Sequence, residues 1–256
     1  MGKRAGLVYS SPTKGWLEAI RRDWDMRARE DAHKYINWPD VPPGEDAFFA
    51  SGLVDYRRFV TPFFERMAFG PRGKVALEIG CGTGRIARHM AGDFGQYVGV
   101  DVSPEMIRKA SAYGFPSATF LCVSGSDLAG IANDSVDFVF SFAVFQHVPD
   151  KCAILNYVAE TARVLRPGGF FRLQMKGLWA IAAGRFAIEA GFSNSVWMTK
   201  AGLTRVPFVR LRHLDTWQGH SIRPAEAIRH CESHGLEVLD VEGKWTTKMW
   251  MGGRKR

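Results

Sequence analysis

Hydrophobic and polar positions change rhythm along the chain. Over residues 1–70, tryptophan, phenylalanine and charged residues are mixed, and Trp16–Tyr35 reads as helix. The segment Trp38-Pro-Asp-Val-Pro-Pro-Gly44 breaks that pattern, because proline fixes φ and removes a backbone donor. A second helix is expected from about Val54 to Ala68. From Lys74 the texture becomes alternating. Lys74–Ile79 is a short apolar run, followed by glycines and a helix-like piece, Arg85–Ala91. Tyr97–Asp101, Ala118–Val123, Val136–Phe142 and Phe170–Met175 read as further strands, and Val136–Phe142 is apolar enough to be buried on both faces. Ser103-Pro104 reads as a helix start, a capping side chain followed by proline. Apolar residues at 154, 155, 158, 162 and 165 give Asp150–Leu165 a helical spacing, stopped by Arg166-Pro-Gly-Gly169. Strands alternating with helices predict an α/β fold with a doubly wound, mostly parallel sheet. The alternation pauses over 177–222, which reads as an insertion. Pro224–His234 then reads as helix, and Leu236–Val241 and Trp245–Met251 as strands.

Composition narrows the class. The chain has 256 residues, 46% hydrophobic and 23% charged, values of a globular protein long enough to bury a core without cross-links. No apolar run reaches the roughly 18 residues of a membrane span. The first residues lack the apolar block of a signal peptide, so none is expected. Four cysteines (Cys81, Cys122, Cys152, Cys231) are far apart, which argues against a disulfide framework and against a zinc site. A reducing cytoplasm is the expected setting. The formal charge is +8, and the excess lies in residues 1–35 and 176–256 while the centre is close to neutral. Those flanks either meet something anionic or serve solubility.

The chemistry concentrates at Glu78-Ile-Gly80-Cys-Gly82-Thr-Gly84, between an expected strand and an expected helix. Glycines there let the backbone turn tightly and approach a ligand. The helix behind them offers free N–H groups. Asp101 ends the next strand, where an acid accepts hydrogen bonds from ribose hydroxyls. Two nucleotide cofactors compete at this point, since Gly82-Thr-Gly84-Arg-Ile-Ala87 also fits a dinucleotide pattern. The Glu78 carboxylate weighs against a pyrophosphate and suits a cofactor with a cationic end.

These residues resemble the class I S-adenosylmethionine-dependent methyltransferases. The resemblance rests on Glu78 to Gly84 after the first strand, Asp101 in Val-Gly-Val-Asp-Val-Ser-Pro-Glu-Met, and Ser126-Asp127 after the third strand. It extends to Phe142-Ala-Val-Phe-Gln-His-Val148 and Arg166–Gly169. It covers about residues 70–176 and 222–252. It implies a Rossmann-like, seven-stranded sheet whose last strand is antiparallel, with S-adenosyl-L-methionine as cofactor. By the same resemblance Gly80, Gly82 and Gly84 pack against the methionine and ribose portions and Asp101 holds the ribose hydroxyls. Val102 and Met106 line the adenine, or are ordinary core. Asp127, with Ser126 beside it, accepts from the adenine amino group, or caps its loop. Phe142 lies at the methionine end, and Cys81 is filler.

Methyl transfer from a sulfonium is an in-line displacement in which alignment and desolvation do most of the work. A base helps only if the nucleophile carries a proton. The segment after the fourth strand lacks the Asn/Asp-Pro-Pro-aromatic and Pro-Cys arrangements used on bases, and no magnesium cluster is evident. His147 is the candidate base, with packing of the following turn as its plainer role. The organisation expected is an N-terminal helical lid over 1–70 and a methyltransferase domain over 71–256, with a substrate lid at about 177–222. Those flanks carry Trp16, Trp24, Tyr35, Trp38, Trp179, Phe186, Phe192, Trp197, Phe208 and Trp217. They also carry Arg205, Arg210, Arg212, His213 and His220. The aromatics suit an apolar substrate or a sulfonium, and the arginines suit an anionic one. The expected function is methylation of a small or medium organic molecule, at oxygen first. An RNA-modifying methyltransferase and a non-catalytic cofactor-binding protein are the alternatives. No membrane partner is expected, and the oligomeric state is left open.

Overall fold

The computed structural model of the chain describes residues 14–36, 44–177, 219–244, 246 and 248–256. Trp38 and the insertion residues Trp179, Phe186, Phe192, Trp197, Arg205, Phe208, Arg210, Arg212, His213 and Trp217 lie outside the described residues.

Three helices come first: α1 (Lys14–Ile36), α2 (Glu45–Phe59) and α3 (Thr61–Arg66). The sheet then alternates with helices: β1 (Val75–Ile79), α4 (Ala87–Asp93), β2 (Gln96–Asp101), α5 (Pro104–Ala112), β3 (Ala118–Cys122) and β4 (Val136–Ser141). A single 3-10 turn, Phe145–His147, leads into α6 (Lys151–Val164) and β5 (Leu165–Met175). The described chain closes with α7 (Pro224–Ser233), β6 (Leu236–Glu242) and β7 (Met249–Lys255). The strands form one seven-stranded sheet in the order β3-β2-β1-β4-β5-β7-β6. Pairings are parallel from β3 to β5, and β7 runs antiparallel to both β5 and β6. This is the sheet that the resemblance implied.

Period-two alternation sends neighbouring side chains to opposite faces. Leu77, Ile79, Val139, Leu173 and Met251 pack with α6 and α7 residues such as Tyr157, Val158 and Cys231. Ala76, Phe138, Phe140 and Trp250 face the other way, into an aromatic cluster with Phe63, Phe64, Phe69 and Phe94. β4 contributes to both clusters, as a strand buried on both faces must.

Two elements differ from the sequence reading. The second helix starts at Glu45, well before Val54, and ends at Phe59 because Pro62 opens a separate helix, α3. The final strand begins at Met249 and runs through Gly252-Gly253, a pair that reads locally as a turn. Those glycines are needed in the strand. A Cβ on Gly252 would lie 2.5 Å from the Phe63 ring, and one on Gly253 would overlap the Glu237 backbone.

A charged side chain is buried beside this strand. Arg172 of β5 is 2% exposed, lies between the rings of Phe63 and Trp250, and pairs with Asp240 at 2.6 Å and Glu242 at 3.1 Å. Its carboxylate partners offset the cost of removing a guanidinium from water.

α1 lies against α5, with Ala28 and Ala32 packed on Met106. Asp25 of α1 accepts hydrogen bonds from the Ser103 hydroxyl (3.0 Å) and the Glu105 N–H (2.9 Å), tying α1 to the start of α5. α1 is interrupted at Asp31, whose φ of −163° and ψ of 89° are extended. The Asp31 carboxylate accepts from the Lys34 N–H at 3.1 Å and so caps the final turn.

Candidate active site

The C-terminal ends of β1, β2, β4 and β5 meet at one edge of the sheet, where open α/β sheets bind their ligands. A cavity of about 620 Å³ lies there. Its wall includes Glu78, Gly80, Gly82, Asp101, Val102, Met106, Phe142 and His147, so eight of the residues singled out in the sequence share one space.

The glycine loop follows β1 directly. Gly80, Gly82 and Gly84 have φ of 73°, 54° and 87°, a left-handed conformation that costs other residues roughly 1–2 kcal/mol. The loop is held from β2: the Gly80 and Cys81 N–H groups donate to the Val100 carbonyl at 2.7 and 3.0 Å. A Cβ on Gly80 would overlap Val144, and one on Gly82 would lie 2.8 Å from Ile36 at the end of α1.

Asp101 joins the loop to the next helix. Its carboxylate accepts from the Gly82 N–H at 3.0 Å and the Ser103 N–H at 2.9 Å. Burial pushes its pKa up, and these backbone donors oppose the shift. Ser103 caps α5 by accepting from the Met106 N–H at 3.1 Å. This arrangement aims Met106 into both the α1 contact and the cavity.

Glu78 is 4% exposed and accepts a hydrogen bond from the Tyr97 hydroxyl. Burial pushes its pKa up to about 7, against the opposing pull of the Tyr97 donor and the Arg85 charge. Arg85 is itself buried, donates to Ser51 at 3.1 Å and pairs with Asp55 at 2.7 Å. Its Nε has no hydrogen-bond partner.

β4 delivers the opposite wall. Phe142 packs against Phe59 (ring centroids 5.1 Å apart) and Trp250 (5.4 Å). Ala143 takes a left-handed φ of 60°, and its N–H donates to the buried Gln174 side chain at 2.8 Å. The bend brings the 3-10 turn to the cavity. There His147 meets the Trp24 ring edge-on at 5.3 Å, and its Nε2 lies 3.1 Å from the Gln146 amide nitrogen.

Three predicted residues lie off the cavity wall. Gly84 serves the packing of the loop, since a Cβ there would lie 2.8 Å from Phe115. Ser126 is buried and its N–H donates to the Ser124 hydroxyl at 3.1 Å. Asp127 accepts from the Ala129 N–H at 3.1 Å, the loop-capping geometry of a short acidic side chain. Gly125, their neighbour, does line the cavity, so this loop faces it through its backbone. Other wall residues went unread in the sequence: Ser51, Asp55, Arg58, Phe59, Tyr157, Gln174 and Lys248. The one local signal was Arg85, a charge placed directly after the last glycine of the loop. Of the flank candidates, Trp24 and Tyr35 line the cavity, whereas His220 lies outside its wall, its ring nitrogen 2.7 Å from the Ser221 carbonyl.

The donor set suits a cationic, hydroxyl-bearing nucleotide. Asp101 retains acceptor capacity beyond its two backbone bonds. Gly80 and Gly82 leave the floor bare, and the buried Glu78 and half-buried Asp101 disfavour a pyrophosphate.

Comparison with known proteins decides between the cofactors. Residues 77–173 match the family described as methyltransferase domain. The ubiquinone biosynthesis O-methyltransferase of Thiobacillus denitrificans is 33% identical over 174 residues, covering 67% of this chain and 68% of that protein. The chain belongs to the class I S-adenosylmethionine-dependent methyltransferases. The Idiomarina loihiensis ubiquinone biosynthesis O-methyltransferase is 27% identical over 186 residues, covering 71% of this chain and 69% of its own. In fold, this methyltransferase resembles the Synechocystis magnesium protoporphyrin IX methyltransferase, solved with S-adenosylhomocysteine. Their TM-score is 0.62 at 14% identity, over 93% of this chain and 99% of that one. The methyltransferase is an enzyme, its cofactor is S-adenosyl-L-methionine, and it acts on a small molecule. No described helix is long and apolar enough to cross a membrane.

Proposed function

We propose that this methyltransferase moves a methyl group to a hydroxyl oxygen of a small, partly aromatic molecule, with His147 as the proton acceptor. The observation that supports the reading is that the glycine loop, Asp101, the Phe59–Phe142 wall and His147 share one cavity. S-adenosylmethionine supplies, when bound, an electrophilic methyl group whose departure leaves a neutral thioether. Gly80 and Gly82 hold its methionine and ribose portions, Asp101 accepts from the ribose hydroxyls, and Glu78 faces the cationic end. Val102 and Met106 pack on the adenine. Ser126 and Asp127 keep their assignment beside it through the loop backbone, and Gly84 keeps the loop shape. The rings of Phe59 and Phe142 exclude water from the reacting oxygen, which lowers its solvation and raises its nucleophilicity. His147 takes the hydroxyl proton as the carbon–oxygen bond forms. The Trp24 edge and Gln146 fix the orientation of that ring. The first described residues form a lid over the cavity through Trp24 and Ile36, within an N-terminal segment 1–70, and 71–256 form the catalytic domain, in which 178–218 lie outside the described residues. A cytoplasmic setting belongs to the same reading, in keeping with four cysteines that are all free thiols.

The test is label transfer from S-adenosylmethionine to catechols and phenols, with His147→Ala alongside wild type. The expected loss in turnover is about 10²–10⁴-fold with S-adenosylhomocysteine affinity retained. Near-normal turnover in a folded variant removes His147 from the chemistry.

A further inference from the structure

The cavity wall is polarised in charge along the edge of the sheet. Asp101 ends β2 and Glu78 lies on β1, so two of its three acids stand over the β2–β1 side, and the third, Asp55 of α2, is taken up by Arg85 at 2.7 Å. Phe142 follows β4 and Gln174 lies on β5, an uncharged stretch. Beyond it Lys248 immediately precedes β7, whose first residue, Met249, pairs with Met175 at the end of β5. With strands roughly 4.8 Å apart, the four intervals from β2 to β7 separate the two ends by about 19 Å. α2 adds a second cation, Arg58, in its last turn. The Arg58 guanidinium lies 5.1 Å from the Phe59 ring centroid, and Phe59 is the partner of Phe142.

Three nearby cations are already neutralised. Arg85 is paired with Asp55, and Arg66 and Arg172 share Asp240 and Glu242. Among the described residues, neither Arg58 nor Lys248 takes part in an ion pair. Two positive charges without an ion pair therefore face the same cavity as a phenylalanine wall, away from Asp101 and Glu78 and beside an Asp55 already paired with Arg85. A cationic cofactor is favoured at the acidic end, and a flat apolar group with an anionic substituent at the other.

We propose that Arg58 and Lys248 form an anion subsite that selects a carboxylate-bearing aromatic hydroxyl compound as the methyl acceptor, an assignment that rests on the O-methylation reading above. The ring lies along Phe59 and Phe142. The carboxylate reaches Arg58, whose planar fork donates to both oxygens at once, and Lys248 adds a point charge. The hydroxyl is thereby directed away from the cations, toward His147 and the cofactor. Both side chains act as specificity determinants and leave the cofactor's own contacts untouched.

The experiment uses the full chain saturated with S-adenosylhomocysteine and measures binding of three probes by calorimetry at low salt: 3,4-dihydroxybenzoate, its methyl ester and its amide. The carboxylate is expected to bind at least about tenfold more tightly than either neutral probe, the scale of one charge-assisted contact. Arg58→Gln and Lys248→Gln each lower that ratio, and the double variant brings it close to one with S-adenosylhomocysteine affinity unchanged. Arg58→Glu shifts the preference toward 3,4-dihydroxybenzylamine. Arg58 and Lys248 are both exposed, so these variants are expected to fold. Equal or absent binding of all three probes to wild type overturns the subsite, as does a carboxylate preference that survives in the double variant. A carboxylate preference that depends on both residues, without methylated product when S-adenosylmethionine replaces the product cofactor, upholds the subsite and overturns the O-methylation reading instead.

Discussion

Glu78→Gln tests the electrostatics of the glycine loop directly. Burial raises the Glu78 pKa from its ordinary 4.5 to about 7. A carboxyl whose pKa is raised on folding binds its proton more tightly in the folded state, so it stabilises the fold at low pH. That contribution is complete below pH 4.5 and is lost as pH rises through about 7. At roughly 1.4 kcal/mol per pH unit, the loss across this window is about 3 kcal/mol. Glutamine keeps an oxygen for the Tyr97 hydroxyl and cannot ionise. Whatever constant offset the amide introduces is the same at every pH, so the slope isolates the ionisation. Urea unfolding of both proteins at intervals from pH 4.5 to about 8 measures it. The stability of wild type relative to Glu78→Gln should fall by about 3 kcal/mol as pH rises, most steeply between 4.5 and 7. A difference that stays flat across that range refutes the claim that Glu78 is held in a desolvated site.

Two further outcomes bear on the cofactor. Asp101→Ala removes a buried acceptor that also holds the Gly82 and Ser103 N–H groups, so S-adenosylhomocysteine affinity should drop by about 2–3 kcal/mol in calorimetry. An unchanged affinity excludes Asp101 from the ribose. Gly82→Val forces a β-branched residue to a φ of 54° with its Cβ 2.8 Å from Ile36, so binding should be lost while far-ultraviolet circular dichroism keeps the sheet signature. Normal binding by that variant would place the cofactor elsewhere.

The alternation of strands with helices and the loop were legible because both obey local rules. Alternating burial exposes a strand in four or five residues, and left-handed backbone at three positions within five residues demands glycine in a pattern few other structures use. The 3-10 turn carrying His147 was legible for a similar reason, since it follows the fourth strand directly. The far wall of the cavity was not. Asp55 and Arg58 look like ordinary surface charges on a helix, Gln174 like a polar break in a strand, and Lys248 like turn chemistry. Lys248 reaches the site only because β7 lies beside β5, and Asp55 and Arg58 only because α2 packs against α4, and those adjacencies are tertiary facts. Asp127 shows the opposite limit. The motif placed its carboxylate near a base, while the same short side chain reaches its own loop N–H two residues away. The last strand was ended too early, at Met251, because glycines weaken a strand pattern while close packing on Phe63 and Glu237 requires them at 252 and 253.

The position of β7 has a consequence for how the protein comes together. Among the described residues β6 pairs only with β7, and β7 is the partner that joins it to β5. Synthesis delivers β6 first, when it has nowhere in the sheet to dock. Its place in the sheet therefore waits on β7, and only with both strands in place does Arg172 have Asp240 and Glu242 as partners. Until then β5 presents an open row of backbone donors and acceptors, flanked by Phe170 and Phe171, to any other strand in reach. A nascent or truncated chain that stalls before β7 is consequently the species most exposed to intermolecular strand pairing, and protection of that edge becomes a task for whatever the chain meets during its synthesis.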